Sequence, residues 1–386
     1  MLLALFTALG PLSIDMYLPA LPQMADHFAV STTQISNTLP AYFLGLAIGQ
    51  LVYGPISDRI GRKKPLYFGM TLYALASLAC VIAPTDWSLI LARVIQALGG
   101  CVGVVMARAA IRDRLDMDSS AQAFASMMIV MGLAPVLAPM IGALILKYFA
   151  WQAIFIVLAV IGVFCLGCVH FCFDETLKEE HRLKLNFKQV MLLYQSIFQD
   201  RSFRLPMLAG CLTGAALFSY ISSAAAVFLE YYQLEEQLFS YIFGFNALGI
   251  MLMSSLNKKF SQRLTIQRRL KIGGVIQFSG ALMIVLSAWF QPEWMLLVMV
   301  GIFMTVAGIG FTGPNAMALA MSKQGHRAGT ASAIMGSAQF ACGLIGGVLL
   351  NFLSGTAVLN MGFLMLLFTG LGIIAIFKVC QTQPNS

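Results

Sequence analysis

The stretch GPISDRIGRKKP, residues 54–65, ends one apolar run and precedes the next. Gly61 permits a tight turn between two helices, and Gly54 allows a neighbouring helix to approach closely. Asp58 can meet a helix N-terminus or an arginine, for which Arg112 is a candidate, and so form a breakable latch. The alternative is an ordinary basic loop. The predicted latch comprises Gly54, Asp58, Arg59, Gly61, Arg62, Lys63 and Arg112.

The composition on both sides of this turn is that of a membrane protein. Of 386 residues, 59% are hydrophobic and 10% are charged, whereas soluble chains carry about 25% charged residues. Apolar runs of about 20 residues, enough to cross the hydrocarbon core, recur along the chain. We therefore predict an all-α membrane protein with twelve transmembrane helices, at 1–21, 37–57, 65–84, 88–110, 120–146, 151–172, 206–229, 239–257, 270–290, 294–317, 327–354 and 358–379.

A long polar connection divides these helices into two sets of six. Residues 174–205 form the predicted linker, between an N-terminal bundle at 1–173 and a C-terminal bundle at 206–386. The linker sequence NFKQVMLLYQSIF, residues 186–198, is amphipathic and is expected to lie on the membrane surface. Similar basic loops after helices 2 and 8 suggest that the two bundles are pseudo-symmetric repeats, as in many secondary transporters.

The basic residues predict the orientation of the chain. With both termini in the cytosol, only Arg93 and Lys147 of the 24 Lys and Arg residues lie away from the cytosolic ends, as the positive-inside rule requires. The net charge of +8 is therefore a topology signal, and we expect no nucleic-acid partner. Because Met1 begins an apolar run without a basic region or cleavage-like site, we interpret that run as a first helix and not as a signal peptide.

Two charges fall inside predicted helices. Asp15 and Arg93 each lie about 8–11 Å below the outer end of their helix, from the rise per residue. Opposite charges at one depth can satisfy each other, and either alone is costly. One reading is a permanent ion pair that only fixes packing. The other is that Asp15 takes and releases a proton while Arg93 poises it.

Further candidates lie elsewhere in the helices. In the fifth predicted helix, Gly132, Pro135, Pro139 and Gly142 favour a bent, thin helix, although close packing alone would also explain these residues. Aromatic and uncharged polar side chains favour a pocket for a lipophilic or neutral compound. The candidate pocket residues are Tyr17, Tyr42, Gln50, Gln96, Tyr220, Tyr241, Asn246, Asn315 and Gln339.

These motifs together resemble the major facilitator superfamily. Residues 54–63 are similar to its loop signature, and LSIDMYLPALP and LILARVIQALGGC are similar to motifs of its twelve-helix drug:proton antiporters, although Ala97 replaces a usual glycine. MGLAPVLAPMIGALI resembles the antiporter motif, with Ala138 and Pro139 in place of a Gly-Pro pair and Ala143 in place of the last Gly. This form is most similar to the bicyclomycin- and chloramphenicol-resistance branch. The resemblance implies that the fifth helix is a hinge that faces helix 8 or helix 11.

The resemblance implies a monomeric, proton-coupled exporter of drugs in a bacterial inner membrane, working by alternating access without a cofactor or metal. An exporter or importer of a native metabolite, such as an amino acid, is the alternative. An enzyme is not expected, because the four histidines are scattered and the sequence has no phosphate-binding loop. A channel is not expected, because no ring of repeated polar residues is apparent. The eight cysteines are expected to be buried apolar residues and not a metal site.

Overall fold

A computed structural model describes residues 2–114, 117–177, 179–182, 187–290, 294–324 and 327–382. Over these residues, twelve helices are long and apolar enough to cross a membrane, which confirms the predicted fold class. Their bounds are α1 Leu2–Phe28, α2 Thr32–Ile60, α3 Lys63–Val81, α4 Asp86–Arg114, α5 Met117–Leu146, α6 Gln152–Cys172, α7 Arg201–Tyr231, α8 Glu236–Phe260, α9 Ile266–Phe290, α10 Met295–Met321, α11 Ala328–Leu350 and α12 Ala357–Thr382.

Four of these helices change their winding within the span, and one of them is α2, where a turn separates Thr32–Ile35 from Thr38–Ile60. In α1 an α-helix ends at Asp15 and a 3-10 turn follows at Leu18–Ala20. Because Pro19 has no N–H, the carbonyl of Asp15 loses its usual helical donor, and the helix breaks there. The last six residues of α7, Ala226–Tyr231, form a π-helix, and α10 is interrupted at Gly308.

The helices form two bundles with the same internal arrangement. In the first bundle α1 contacts α4, α5 and α6, while α3 contacts α4 and α6. The second bundle repeats these contacts six helices later, since α7 contacts α10, α11 and α12, while α9 contacts α10 and α12. The bundles meet where α2 packs on α11 and α5 packs on α8. This repetition is the pseudo-symmetry that the paired basic loops predicted.

The turn at Gly61 lies at the same end of the bundles as Arg114 and Ser261, and we call this end the basic end. There the guanidinium of Arg62, between α2 and α3, bonds the carboxylate of Asp113 near the end of α4. At the opposite end, Asn351 Nδ2 donates to Asn37 Oδ1 across the bundle interface, at 2.6 Å. The contact of α2 with α11 is therefore tied directly at the opposite end.

The polar linker contains a helix at Phe187–Gln199, which we call the linker helix. It does not simply lie on a membrane surface as the sequence suggested. Ile197 is 1% exposed in a cluster with residues of α7 and α11, whereas Met191, Leu192 and Phe198 remain exposed. One apolar side of this amphipathic helix therefore packs against the transmembrane helices.

Candidate functional site

Arg93 lies at the centre of the first bundle and is fully buried. Its Nη1 donates to Gln96 Oε1 at 2.6 Å, and its Nη2 donates to the carbonyl of Ser13 at 2.8 Å. The rings of Tyr17 and Tyr42 cover it, each with its centroid 4.3 Å from the guanidinium carbon. Aromatic faces stabilise a desolvated cation by about 2 kcal/mol or more. These contacts hold a buried positive charge in a fixed position.

The arginine belongs to a network that joins three helices of the first bundle. Gln96 Nε2 of α4 donates to Ser77 Oγ of α3 at 2.8 Å. Ser13 Oγ of α1 shares a hydrogen bond of 2.7 Å with Tyr73 Oη of α3. Among the described residues, no carboxylate forms an ion pair with Arg93. The cage thus supplies neutral partners and π faces, and it leaves the positive charge without a counter-ion.

The second bundle has a neutral network at the equivalent helices, α7, α9 and α10. Gln277 Nε2 donates to the carbonyls of Thr213 and Thr305, at 3.2 and 3.1 Å. Gln277 Oε1 accepts a hydrogen bond of 2.9 Å from Thr312 Oγ1. Both polar ends of this buried amide are therefore satisfied. Both bundles thus have a buried polar network at equivalent helices. Among the described residues, the network of the first bundle contains a charged side chain, Arg93, and the network around Gln277 does not.

Asp15 is buried at the break in α1, with 3% of its surface exposed. Within the described part of the chain, no hydrogen bond or ion pair reaches its carboxyl group. The expected mutual satisfaction of Asp15 and Arg93 is therefore absent from this conformation. The side chains of residues 13 and 15 point about 200° apart around a helix. Because Ser13 Oγ faces Tyr73 inside the first bundle, Asp15 points away from that network. Equal depth in the membrane did not bring the two charges together.

The segment that follows Asp15, Leu18–Ala20, contacts α8 of the second bundle. Tyr220 of α7 lies within electrostatic reach of its carboxyl group. The hydroxyl of Tyr220 accepts a hydrogen bond of 3.0 Å from Asn246 Nδ2 of α8, and its ring stacks on Phe243 with centroids 5.4 Å apart. Two of the predicted pocket residues, Tyr220 and Asn246, therefore meet across the interface from Asp15.

The other predicted pocket residues are dispersed. Tyr17, Tyr42 and Gln96 form the cage around Arg93 inside the first bundle. Asn315 donates to Asn257 Oδ1 inside the second bundle, at 3.0 Å. Gln339 of α11 packs beside Gly214 of α7.

The last two predicted pocket residues, Gln50 and Tyr241, differ in burial, since Gln50 is 5% exposed. Gln50 lines a cavity at the basic end. Tyr241 is 59% exposed on the outside of the bundle. The helical period places it on the face of α8 that also exposes Phe245 and Leu248. Its assignment to the pocket is therefore wrong.

Close packing at α5 sets the position of Asp15. A Cβ at Gly142 would collide with the backbone carbonyl of Met16, the residue after Asp15. On its other side α5 contacts α8, where Ser240 Oγ donates to the carbonyl of Pro139 at 3.0 Å, and Gly132 adjoins Met251. Through Pro135 and Pro139 the helix remains continuous. Of the two partners that the resemblance implied, α8 and α11, the helix packs on α8, and the hinge role of α5 stays a prediction.

The turn at the basic end is built around Arg62. Asp58 pairs with Arg62 Nη1, and Arg62 Nε bonds Asp113 Oδ2 at 2.9 Å. Asp58 thus pairs with a residue of its own bundle, and among the described contacts it does not bond the start of α11. The side chain of Arg112 lies outside the described residues, and Arg59 is exposed.

The two glycines of this stretch have different roles. Gly61 has a φ of +93°, and a Cβ there would collide with the carboxylate of Glu175, so the predicted turn requires glycine. No neighbouring helix approaches Gly54 in this conformation, because a Cβ there would have no neighbour within 4 Å. Gly54 instead lines a cavity.

Glu175 was missed by sequence reasoning. Its carboxylate accepts hydrogen bonds from the backbone N–H groups of Arg62 and Lys63, at 2.8 and 3.1 Å, and from those of Thr176 and Leu177. Burial opposes the charge, but these donors hold the pKa of Glu175 below its usual range. Its signal was an acidic residue directly after a predicted helix, which is a place for a carboxylate that caps a neighbouring helix.

A cavity of about 390 Å³ opens between the bundles at the basic end. The first bundle contributes Gln50, Asp58 and Arg108, and the second contributes Thr330 and Ser332 of α11. Arg108 Nη1 reaches Ser332 Oγ at 3.4 Å across it. The cavity therefore lies at the end of the α2–α11 contact opposite to the Asn37–Asn351 hydrogen bond.

Comparisons with known proteins agree with this architecture. A family model described as Major Facilitator Superfamily matches residues 3–347. The chain is 30% identical to a bicyclomycin resistance protein homolog of Haemophilus influenzae, over 90% of this chain and 87% of that protein. It is also 30% identical to multidrug resistance protein D of Escherichia coli, over 97% of this chain and 93% of that protein.

A solved structure supports the fold alone. The crystal structure of a D-xylose-proton symporter superposes with a TM-score of 0.76 at 12% identity, covering 98% of this chain and 95% of that one. The twelve spans and the bacterial relatives indicate a multi-pass bacterial membrane protein. The chain belongs to the Major Facilitator Superfamily, and it is a transporter and not an enzyme.

Proposed function

We propose that this transporter exports drugs or other small, mainly lipophilic or neutral compounds in exchange for protons, by alternating access. The relatives named for bicyclomycin and multidrug resistance support the substrate class. We take the basic end as the cytosolic end, in agreement with the positive-inside rule. Both termini are then cytosolic, the protein works as a monomer, and the cavity at the basic end loads substrate from the cytosol.

The single observation that carries proton coupling is the buried carboxyl of Asp15, which has no hydrogen bond or ion pair among the described residues. A buried carboxylate is costly unless it is paired or protonated. Asp15 lies at the interface of the two bundles, which is the surface that an alternating cycle rearranges. It binds a proton when its surroundings are closed and dry, and it releases that proton when substrate and water reach it from the cytosolic side.

Arg93 supplies the positive potential beside that site. Its bond to the carbonyl of Ser13 fixes the segment of α1 that immediately precedes Asp15. A shift of α1 within the cycle brings the ionised carboxylate closer to the guanidinium, which stabilises the deprotonated form. In this proposal Arg93 stays in its cage throughout the cycle, because Gln96, the carbonyl of Ser13 and the two tyrosine rings hold its guanidinium without Asp15.

The substrate pocket is proposed at the interface side of Asp15. Tyr220, Phe243 and Asn246 offer two stacked rings and one amide, a lining that suits a lipophilic compound with one or two polar groups. Apart from Asp15, this cluster contains no charge. A neutral substrate is therefore favoured over a multiply charged one.

The cytosolic gate is proposed at the Arg62 turn. In this conformation Asp58 and Asp113 share Arg62 within the first bundle, while Asp58 also lines the open cavity. Closure of the cavity brings Asp58 toward the start of α11, whose N-terminal backbone dipoles attract a carboxylate. The predicted latch would then operate in the outward-facing state.

The function is tested in inside-out vesicles that hold an acidic lumen and a fluorescent pH probe. Addition of bicyclomycin or chloramphenicol should dequench the probe, because inward drug movement carries protons out of the lumen. Amino acids serve as the competing substrates. Dequenching by an amino acid but by no drug would show a metabolite transporter, and no dequenching by any compound would contradict proton coupling.

A further inference from the structure

The linker helix makes a specific contact with the first bundle. Tyr194 Oη donates to the carbonyl of Leu51, at 2.7 Å. In an α-helix that carbonyl would accept from the N–H of residue 55, but residue 55 is proline and has none. Tyr194 therefore occupies an acceptor that α2 cannot use itself, so the bond does not compete with the helix.

The remainder of the linker helix is attached to the second bundle. Ile197 packs in a buried cluster with Phe203 of α7 and Met335 of α11. Near its C-terminal end, Arg327 Nη1 donates to Ser196 Oγ at 3.2 Å, and Gln324 Nε2 donates to Asp200 Oδ2 at 2.9 Å. The helix is thus held at several points by one bundle, and Tyr194 reaches the other.

The same face of the linker helix forms a wall of the cavity. Val190, Leu193 and Tyr194 line it together with Asp58 of α2 and Thr330 of α11. Residues 190, 193, 194 and 197 follow the spacing of one helical face. Burial and the nearby Asp58 carboxylate raise the pKa of Tyr194 to about 12, so its hydroxyl keeps its proton near neutral pH.

We infer that the linker helix is a lid over the transport cavity, carried by the second bundle and latched to the first by the Tyr194–Leu51 hydrogen bond. When the bundles part further at the basic end to admit substrate, α2 moves away from α11, and this bond must break. The Tyr194–Leu51 hydrogen bond therefore biases the transporter toward the less open conformation. It rests on the proposed alternating cycle but needs neither protons nor a particular substrate.

The test measures access to the cavity in purified protein in detergent. On a background cleared of native cysteines, a reporter cysteine replaces Ala333, a cavity-lining residue of α11. Tyr194→Phe removes the hydroxyl and keeps the ring. A net hydrogen bond is worth a shift of about two- to twelve-fold in an equilibrium, so maleimide labelling should accelerate by that factor. Labelling at the wild-type rate would overturn the proposal.

The matched control is Tyr67→Phe. Tyr67 Oη also forms one hydrogen bond at the basic end, to His170 Nδ1 at 2.8 Å, but both residues belong to the first bundle. This variant should label at the wild-type rate. An equal acceleration in both variants would show a general loosening of that end and would also overturn the proposal.

Pro55→Ala provides an independent test of the shared carbonyl. Residue 55 would then donate its N–H to Leu51 O and weaken the latch without touching the linker helix. Pro55→Ala and Tyr194→Phe should each accelerate labelling, and the double variant should be little faster than either. Additive effects would mean that the two residues do not act on one acceptor, which contradicts the latch.

Limited proteolysis at Lys188 separates a moving lid from an unfolded one. A lid that swings as an intact helix should be cut at the wild-type rate in Tyr194→Phe. Faster cutting would mean that the hydroxyl maintains the helix itself, and the proposal would fail. The proposed transport function would survive either result, because none of these readouts depends on proton flux.

Discussion

Arg93 donates to the backbone carbonyl of Ser13, at 2.8 Å, and no contact of the described residues joins it to Asp15, two positions further along α1. The buried cation and the buried carboxyl therefore have separate surroundings. Arg93 lies in a closed cage inside one bundle, and Asp15 lies at the surface between bundles. Arg93 is thus a fixed cation, and Asp15 is a separate buried carboxyl whose protonation changes in the proposed cycle.

Replacing Arg93 should test the cage. In Arg93→Ala, Gln96 Oε1 and the carbonyl of Ser13 lose a buried donor, and each unsatisfied group costs about 1–3 kcal/mol. The melting temperature in detergent should fall clearly. The melting temperature of Arg93→Lys should fall less, because lysine keeps the positive charge but lacks the planar guanidinium that lies between the two rings. Arg263→Ala, at an exposed position, is the control, and equal melting temperatures of Arg93→Ala and wild type would contradict the cage.

Gly142→Ala should separate α5 from α1 next to Asp15. The added Cβ meets the carbonyl of Met16, which as backbone cannot rotate away. Overpacking costs about 1–3 kcal/mol, more than the gain of about 1 kcal/mol in helix propensity. We expect lower thermal stability and reduced transport. Gly10→Ala on α1 is the control, because its Cβ would have no neighbour within 4 Å; similar losses in both variants would refute the packing argument.

Glu175→Ala should weaken the turn at Gly61 by about 0.5–2 kcal/mol, the usual cost of losing a helix cap. Because the pKa of Glu175 is lowered in the folded state, its contribution is complete above the ordinary glutamate value of about 4.3. It is lost as the pH falls through the lowered folded value. The difference in melting temperature between wild type and variant should therefore be largest near pH 7 and shrink in acid.

The control for this experiment is Glu235→Ala. Glu235 also precedes a helix, α8, but its side chain makes no capping bond. Its removal should leave the melting temperature unchanged at both pH values. If the difference in melting temperature between wild type and Glu175→Ala stays constant down to acid pH, the loss of the carboxylate's hydrogen bonds is not the cause of that difference.

The sequence was sufficient for the features that depend on one helix at a time. The lengths of the apolar runs predicted the twelve spans. Gly61 predicted the turn, because the backbone conformation of that one residue determines the turn. Features that depend on rotation about a helix axis were not predictable. Their equal depth in the membrane predicted a contact between Asp15 and Arg93, but Asp15 points to another side of α1 than Ser13 and does not meet Arg93. The angle around the axis of α8 likewise places Tyr241 on the outside.

Contacts between segments that are distant in the sequence were harder still to predict. The carboxylate of Glu175 reaches a turn more than a hundred residues earlier in the chain, and Tyr194 reaches a carbonyl on α2. Neither partner follows from local pattern, because the packing of whole helices brings them together. Pro55 offered one physical hint, since a proline within a helix always leaves a carbonyl in need of a donor.

The most direct test of the account is Asp15→Asn in inside-out vesicles with an acidic lumen. Asparagine keeps the shape of the side chain and cannot exchange a proton, so drug-induced dequenching of the pH probe should be abolished. The variant should still insert and melt like wild type, because no described contact of Asp15 is lost. Drug-driven proton release at the wild-type rate in a correctly folded Asp15→Asn protein would contradict the assignment of Asp15 as the coupling residue.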